Sequence, residues 1–255
     1  MIRIDSPSNP KIKEVVNWLK KPAQRRRDGV VVVEGDREIQ RAIQSGWHVK
    51  SVFHTDACEW INSLPQSKRL ACSAKAFEKL VMRRHGVEAM AVFHSPELTL
   101  SSLSLPDRAL ILVMDGIEKP GNIGAMMRTA DALAMDAVIV SSPQCDPLAP
   151  QAIRNSLGGI FHTALAIADR DEVMAFLSEH HITPVLMHLE ASQSMREFEW
   201  KGDQAIVVGS EDKGLDASWT EQGHDRIVIP MQGVVDSLNV SVSAAIVMAA
   251  AKTSL

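Results

Sequence analysis

The feature that most constrains the fold of this chain is a strand, a loop and a helix start that recur in its second half. Near the end of the chain, residues 227–229 are apolar and β-branched, which predicts a strand buried on both faces. Pro230 ends that strand because proline has no backbone donor, and Ser237 or Asn239 can then cap a helix. Ligands of open α/β sheets bind at such loops, although an ordinary turn has the same pattern.

Two earlier stretches have the same form. Residues 115–130 follow the apolar run 109–114, and residues 205–215 begin with another apolar run. Strands and helices that alternate in this way predict a mostly parallel sheet with helices on both faces. No Gly-x-Gly-x-x-Gly follows the first strand and no Gly-Lys-Ser/Thr occurs, which argues against a dinucleotide fingerprint and a Walker-type phosphate loop.

The first hundred residues also alternate between short strands and helices, which predicts a separate small α/β domain. A serine- and proline-rich stretch within residues 94–107 predicts a linker. We therefore expect one domain over residues 1–98 and a second over residues 107–255.

The charged residues are distributed unevenly between the two predicted domains. Residues 1–100 carry 17 Lys and Arg against 11 Asp and Glu, whereas residues 101–255 carry 10 against 20. A basic half joined to an acidic half suggests that the basic half binds an anionic partner such as RNA. A solvated loop is the alternative for the arginine run. The candidate RNA-binding residues are Lys11, Lys13, Arg25, Arg26 and Arg27.

Other classes of protein find little support in the sequence. Three cysteines without Cys-x-x-Cys or Cys/His spacing predict neither a disulfide framework nor a metal site. No apolar run approaches the roughly 18 residues that a membrane span needs, so we expect no membrane partner. The first residues lack the apolar core of a signal peptide, and we expect a reducing, cytoplasmic setting.

Taken in order, the three loop stretches resemble the SpoU (TrmH) family of RNA ribose 2'-O-methyltransferases, within the SPOUT superfamily. The first carries the family's Asn-x-Gly-x-x-x-Arg-Thr-Ala pattern from Asn122 to Ala130. The second carries its Gly-Asn/Ser-Glu-x-x-Gly-Leu pattern from Gly209 to Leu215. The third carries Ile-Pro-Met-x-Gly-x-x-x-Ser-Leu-Asn-Val over residues 229–240. Asn9-Pro-Lys-Ile-Lys13 and the arginine cluster look like the substrate domain of many members.

The resemblance implies a SPOUT fold with a carboxyl-terminal trefoil knot, S-adenosyl-L-methionine as cofactor and a homodimer formed through the carboxyl-terminal domain. It implies that Gly209, Ile229, Leu238, Leu189 and Met231 bind the cofactor; a plain core role is the alternative for Ile229 and Leu238. It implies catalytic roles for Asn122, Arg128, Glu211, Ser237 and Asn239.

The chemistry bears on those roles. The family assigns the arginine to activation of the 2'-hydroxyl, but a guanidinium has a pKa above about 12 and is not normally a base. We expect Arg128 to hold a phosphate and stabilise a developing alkoxide, with Glu211 as a competing base or as the group that orients Arg128. A helix starting at Ile123 would let Asn122 and Arg128 face one site.

Departures from the family pattern concern the substrate. Lys119, Asp212 and Asp236 stand where other residues are common, and Glu-Lys-Pro-Gly-Asn occurs in members that modify large-subunit ribosomal RNA. The function predicted is therefore methylation of a ribose 2'-hydroxyl in large-subunit (23S) ribosomal RNA. A tRNA 2'-O-methyltransferase and a non-catalytic RNA-binding protein that keeps the fold are the alternatives.

Overall fold

The structure is a computed structural model, which describes residues 2–82, 86–191 and 193–254. They form two compact units: residues 1–96 with residues 148–162, and residues 97–147 with residues 163–255. The division expected from sequence assigns residues 148–162 to the second domain, whereas in the structure they pack within the first unit. No helix in the described part of the chain is long and apolar enough to cross a membrane.

The elements of the described residues are as follows. The strands are β1 (Ile2–Ile4), β2 (Val30–Glu34), β3 (Val49–His54), β4 (Arg69–Cys72), β5 (Ala89–His94), β6 (Leu110–Asp115), β7 (Ala137–Ser141), β8 (Leu165–Ala168), β9 (Thr183–Met187), β10 (Gln193–Ser194), β11 (Gln204–Val208) and β12 (Asp225–Val228). The α-helices are α1 (Pro10–Lys20), α2 (Pro22–Arg27), α3 (Asp36–Gln44), α4 (Ala74–Phe77), α5 (Pro120–Ala132), α6 (Pro150–Ser156), α7 (Arg170–Glu179), α8 (Ala217–Thr220) and α9 (Val240–Ser254).

The first unit is built on a mixed sheet with the strand order β1-β4-β3-β5-β2. β5 runs antiparallel to both β2 and β3, while β4 is parallel to β1 and β3. Helix α1 buries Ile12, Val15 and Trp18 in the core of this unit, and the Asn9 side chain caps it by accepting from the Lys11 backbone N–H at 2.9 Å. The helix therefore presents its lysines to solvent.

Helix α2 carries the arginine run, for which the sequence left a solvated loop as the alternative. Pro22 begins it, which suits a residue that lacks a backbone donor. Arg25 of this helix is only 3% exposed, because its guanidinium donates to the backbone carbonyls of Trp18 and Leu19 at the end of α1. This arginine therefore ties α2 to α1.

The second unit is built on a sheet with the order β10-β12-β9-β11-β6-β7-β8, in which every described pairing is parallel. Strands β6, β7 and β11 are buried along their whole length, which explains their continuous apolar sequences. The predicted α/β fold is confirmed by this topology together with the preceding α/β unit. The trefoil knot stays a prediction.

The order of strands in the second unit marks where a ligand site is expected. β6 has β7 on one side and β11 on the other, so the chain leaves β6 in one direction and later returns on its opposite side. Loops diverge at such a switch point and leave a crevice outside the carboxyl ends of the strands. The loops after β6, β9, β11 and β12 all lie at that edge.

Candidate functional site

A cavity of about 690 Å³ lies at the carboxyl ends of β9, β11 and β12. It brings together the five residues predicted to bind the cofactor, and we call it the cofactor cavity. Leu238 is 36% exposed and Leu189 is 65% exposed, and Ile229 is half-buried, so none of the three is a core residue. The predicted cofactor-binding residues that line it are Leu189, Gly209, Ile229, Met231 and Leu238.

Gly209 allows the loop after β11 to close on itself. The Ser210 and Gly214 backbones exchange hydrogen bonds of 3.0 and 3.1 Å across this loop. A Cβ added to Gly209 would lie 2.2 Å from the carbonyl carbon of Gly214, closer than any real contact. The loop that walls the cofactor cavity therefore requires glycine at this position.

Three polar side chains, one from each loop stretch, form a chain of hydrogen bonds beside this cavity. The Asn239 Nδ2 donates to the Asn122 Oδ1 at 3.4 Å, and the Asn122 Nδ2 donates to the Glu211 Oε1. The Lys119 ammonium lies 3.9 Å from the same carboxylate oxygen. The structure thus joins Asn122, Glu211 and Asn239, which are up to 117 residues apart in sequence.

Glu211 holds the central position in this cluster. Its side chain is 13% exposed, and its Oε2 is buried without a hydrogen-bond partner among the residues that the structure describes. A buried acceptor without a donor is costly, so a ligand hydroxyl or N–H at this point would satisfy it. The cluster therefore has a vacant acceptor beside the cofactor cavity.

The two candidate caps of α9 differ. The Asn239 Oδ1 accepts from the Ser241 backbone N–H at 2.9 Å and from its hydroxyl at 2.6 Å, so Asn239 is the cap. The Ser237 hydroxyl instead donates to the Asp236 carboxylate at 3.3 Å, in the exposed loop before the helix. Ser237 still lines the cofactor cavity.

Arg128 is placed apart from this cluster. Helix α5 begins at Pro120, not at Ile123, and six residues are about 1.7 turns, which turns Arg128 roughly 120° around the axis from Asn122. Arg128 is exposed, and its guanidinium has no hydrogen-bond or ion-pair partner within the described ranges. No hydrogen bond or ion pair joins Arg128 to Asn122 or Glu211 in the described part of the chain, so a shared site for Asn122 and Arg128, and the orientation of Arg128 by Glu211, stay predictions.

The predicted RNA-binding residues divide into two groups. Lys11, Lys13 and Arg26 are exposed, and Arg27 is exposed while it pairs with Asp28 at 3.1 Å. Arg25 is buried, as described above. The expectation that Arg25 presents its charge to RNA is therefore corrected, because the side chain is buried and its Nη1 donates to carbonyls of α1.

Sequence reasoning missed a second cavity, of about 510 Å³, at the carboxyl ends of β6 and β11. Arg170 contacts two carboxylates there, Asp115 at 3.0 Å and Asp216 at 3.1 Å, and Asp115 also accepts from the Ser141 hydroxyl at 2.7 Å. Burial alone would lower the pKa of Arg170, but the hydrogen bond and charge of Asp115, together with the charges of Asp216 and Asp171, outweigh it and raise that pKa. Hydrogen bonds from Ser218 lower the pKa of Asp216.

Cys145 lies near the cluster but does not resemble a nucleophile. Burial, followed by the charges of Asp146 and Glu211, raises the pKa of its thiol to about 11. The thiol therefore stays protonated at neutral pH, and thiolate is the reactive form.

A parallel sheet with a cavity and a polar cluster at its carboxyl edge is typical of α/β proteins that bind ligands there. Residues 109–249 match the model of the SpoU rRNA Methylase family, and residues 9–91 match the MRM3-like substrate binding domain. The chain belongs to the SpoU rRNA methylase family. The predicted resemblance and class of enzyme, an RNA 2'-O-methyltransferase, are confirmed.

Individual relatives agree with this. The chain is 28% identical over 97% of its length to the 23S rRNA (guanosine(2553)-2'-O)-methyltransferase RlmP of Bacillus subtilis, of which it covers 98%. It is 35% identical to the crystal structure of an RNA 2'-O ribose methyltransferase, with 99% of each chain covered and a TM-score of 0.82. It shares the fold of an AdoMet-bound rRNA methyltransferase from Sinorhizobium meliloti, with 21% identity, 99% and 98% coverage and a TM-score of 0.92.

Proposed function

We propose that this protein transfers a methyl group from S-adenosyl-L-methionine to a ribose 2'-hydroxyl in large-subunit (23S) ribosomal RNA. The observation that carries the proposal is the meeting of Asn122, Glu211 and Asn239 beside a cavity, in a chain of the SpoU family. RlmP, which covers almost the whole chain, is named for a 2'-O-methylated guanosine of 23S rRNA. Mapping 2'-O-methyl sites in RNA from cells with and without the gene tests it. Loss of one site in 23S RNA is expected, and an unchanged map would overturn it.

The cofactor cavity suits S-adenosyl-L-methionine. Its volume of about 690 Å³ lies within the usual range for cofactor sites, and Leu189, Ile229 and Leu238 offer apolar walls for an adenine. Gly209 lets the loop that walls the cavity close on itself. When bound, the cofactor supplies an activated methyl group on sulfur, and the protein's task is to align it with the ribose oxygen.

The polar residues divide the remaining work. Glu211, with its vacant buried oxygen, is placed to accept a proton or a hydrogen bond from a hydroxyl. Asn122 holds that carboxylate in place, and Asn239 in turn holds Asn122 while capping α9. Ser237 contacts the ligand from the loop before α9. Arg128 holds an RNA phosphate and stabilises negative charge on the attacking oxygen.

The amino-terminal domain, residues 1–98, binds RNA through an electrostatic surface. Lys11, Lys13, Arg26 and Arg27 all project to solvent from α1 and α2. Residues 9–91 match a substrate binding domain, which supports the same role. Arg25 serves this surface only by fixing α2 against α1.

The carboxyl-terminal domain, residues 107–255, forms a homodimer and contains the trefoil knot. The inner face of α9, which includes Ala244, Val247 and Met248, is buried within the chain. The residues available to a partner are Val242 and Ile246, which are large, apolar and exposed on the same helix. A partner would also give the isolated Arg128 a second active site to serve. A fully active monomer by light scattering at micromolar concentration would reject the dimer.

Two alternative functions predict different experimental results. A tRNA 2'-O-methyltransferase would methylate tRNA and leave the 23S map unchanged. A non-catalytic RNA-binding protein would bind neither S-adenosyl-L-methionine nor S-adenosyl-L-homocysteine in calorimetry. The Asn122–Glu211–Asn239 cluster favours the enzyme, because RNA binding alone does not need it. We place the protein in the cytoplasm, where ribosomal RNA would be its substrate.

A further inference from the structure

The second cavity lies at the same edge of the sheet as the cofactor cavity and has no part in the function proposed above. Asp115 ends β6 and Ser210 follows β11, so this cavity lies at the switch point of strand order. Ser210, Lys213, Gly214 and Leu215 line both cavities. A single loop, residues 210–215, therefore separates the two spaces.

Methyl transfer has two reactants, the methyl donor and the RNA. The proposed function places the methyl donor in the cofactor cavity and assigns no ligand to the second cavity. We propose that the second cavity, which we call the base cavity, holds the base of the target nucleotide. The ribose of that nucleotide then lies at the shared loop, within reach of the cofactor cavity. This inference rests on the proposed function, because it takes the first cavity to be that of the methyl donor.

The lining of the base cavity is suited to a neutral, planar group with both donors and acceptors. Arg170 is 25% exposed and is fixed by Asp115 and Asp216, so its planar guanidinium is a rigid surface on which a base can stack. Glu118 offers acceptors, Lys213 offers donors and the Gln144 amide offers both.

The charges that line the base cavity favour a neutral base over a phosphate. Three carboxylates and two cations line the cavity, namely Asp115, Glu118 and Asp216 against Arg170 and Lys213. A site with this balance disfavours a phosphate, whereas carboxylates accept well from the N–H groups of a base edge. A flipped or unpaired nucleotide is also how RNA enzymes reach a target in folded RNA.

A bulky substitution in the base cavity tests the proposal on the full-length protein. Gln144 is exposed, and its side-chain amide donates a hydrogen bond to the Ser142 carbonyl at 3.1 Å. Gln144→Trp should fill part of the cavity and lower kcat/KM for RNA by about 100-fold, because misplacing a reacting group by about 1 Å has this effect. Binding of S-adenosyl-L-homocysteine, measured by calorimetry, should change less than about 2-fold. The matched control Gln222→Trp alters an exposed glutamine elsewhere in the same unit and should leave both constants unchanged.

A second measurement uses the RNA instead of the protein. An RNA fragment with the mapped target nucleotide made abasic should lose about 10-fold or more in kcat/KM with the wild-type enzyme, because stacking and edge contacts disappear. With Gln144→Trp, intact and abasic RNA should react equally slowly. Equal rates of the wild-type enzyme on both RNAs, or an unimpaired Gln144→Trp, would overturn the base cavity while leaving the proposed function intact. Failure of the wild-type enzyme to methylate any RNA would instead overturn the proposed function.

Discussion

The two units place their charged residues in different ways, and the difference follows from their sheets. In the parallel sheet of the second unit all strands end at one edge, so the loops that carry Asn122, Glu211 and Asn239 meet there. In the mixed sheet of the first unit, β5 runs against both β2 and β3, and strand ends point to both edges. Chemistry is therefore concentrated at an edge in the second unit, while the first unit offers a helical surface of positive charge.

Each unit contains arginines that are bonded within the fold and others that face solvent. Arg25 ties α2 to α1, and Arg170 neutralises the buried Asp115. Arg26 and Arg128 are exposed and have no such task. The comparison predicts that Arg25 and Arg170 govern stability, whereas Arg26 and Arg128 govern RNA binding and activity.

The largest effect is expected at Arg170. Arg170→Ala would leave the buried Asp115 carboxylate, within the described residues, with the Ser141 hydroxyl as its remaining side-chain donor, and breaking a buried ion pair costs roughly 3–5 kcal/mol. Urea unfolding, monitored by circular dichroism, should show a lower midpoint with an unchanged slope. The exposed Arg26→Ala is the control and should change the free energy of unfolding by less than about 0.5 kcal/mol. Equal stabilities of the two variants would contradict the assignment of Arg170 to structure.

The next effect concerns turnover. Arg128→Ala should lower kcat by roughly 10²-fold, about 2.7 kcal/mol in barrier, while affinity for S-adenosyl-L-methionine stays within a few-fold. Arg128→Lys should not restore activity, because a point charge does not reproduce the planar fork. Leu238→Trp should instead lower the affinity for S-adenosyl-L-methionine, since Leu238 lines the cofactor cavity and Arg128 does not. Full turnover by Arg128→Ala on native RNA would make Glu211 the residue to test.

These assignments show what could be read from the sequence. Continuous apolar runs predicted the parallel strands, because strands buried on both faces need apolar residues throughout. The loops that form the cofactor cavity were predicted by their resemblance to a family. The sequence could not predict which arginine of the run is buried. Arg25 is buried because it donates to a backbone carbonyl at the end of α1, a contact that only the folded structure shows. Arg170 belongs to no pattern, and its partner Asp115 lies 55 residues earlier.

The sequence of residues 148–162 also does not indicate to which unit they belong. They contain helix α6, which packs against β2 of the first unit. The Leu157 carbonyl accepts from Arg41, and Arg154 lies 3.8 Å from Glu34. Periodicity predicts the helix, but only tertiary contacts decide which core it joins.

A smaller effect separates the two candidate caps of α9. Asn239→Ala should destabilise the protein by about 1 kcal/mol, because the Ser241 backbone N–H loses its acceptor. It should also lower activity, since Asn122 loses a donor. Ser237→Ala should leave thermal unfolding unchanged, because that hydroxyl donates to the neighbouring Asp236 in an exposed loop. Equal loss of stability in both variants would show that Ser237 shares the cap.

The smallest effect tests the surface of the first unit. Replacing Arg26 and Arg27 by Ala should reduce the magnitude of the slope of log affinity against log salt by about 1.4. Each phosphate of single-stranded RNA that the protein neutralises contributes about 0.7 to this slope, and the double variant loses two such contacts. Titrations of the RNA at several salt concentrations measure this slope. Arg25→Ala is the matched control: its guanidinium is bonded to α1 carbonyls, so the slope should stay at the wild-type value in protein that remains folded. A slope that falls for Arg25→Ala but not for the Arg26 and Arg27 variant would invert the comparison, because it would assign RNA binding to the arginine that the fold buries.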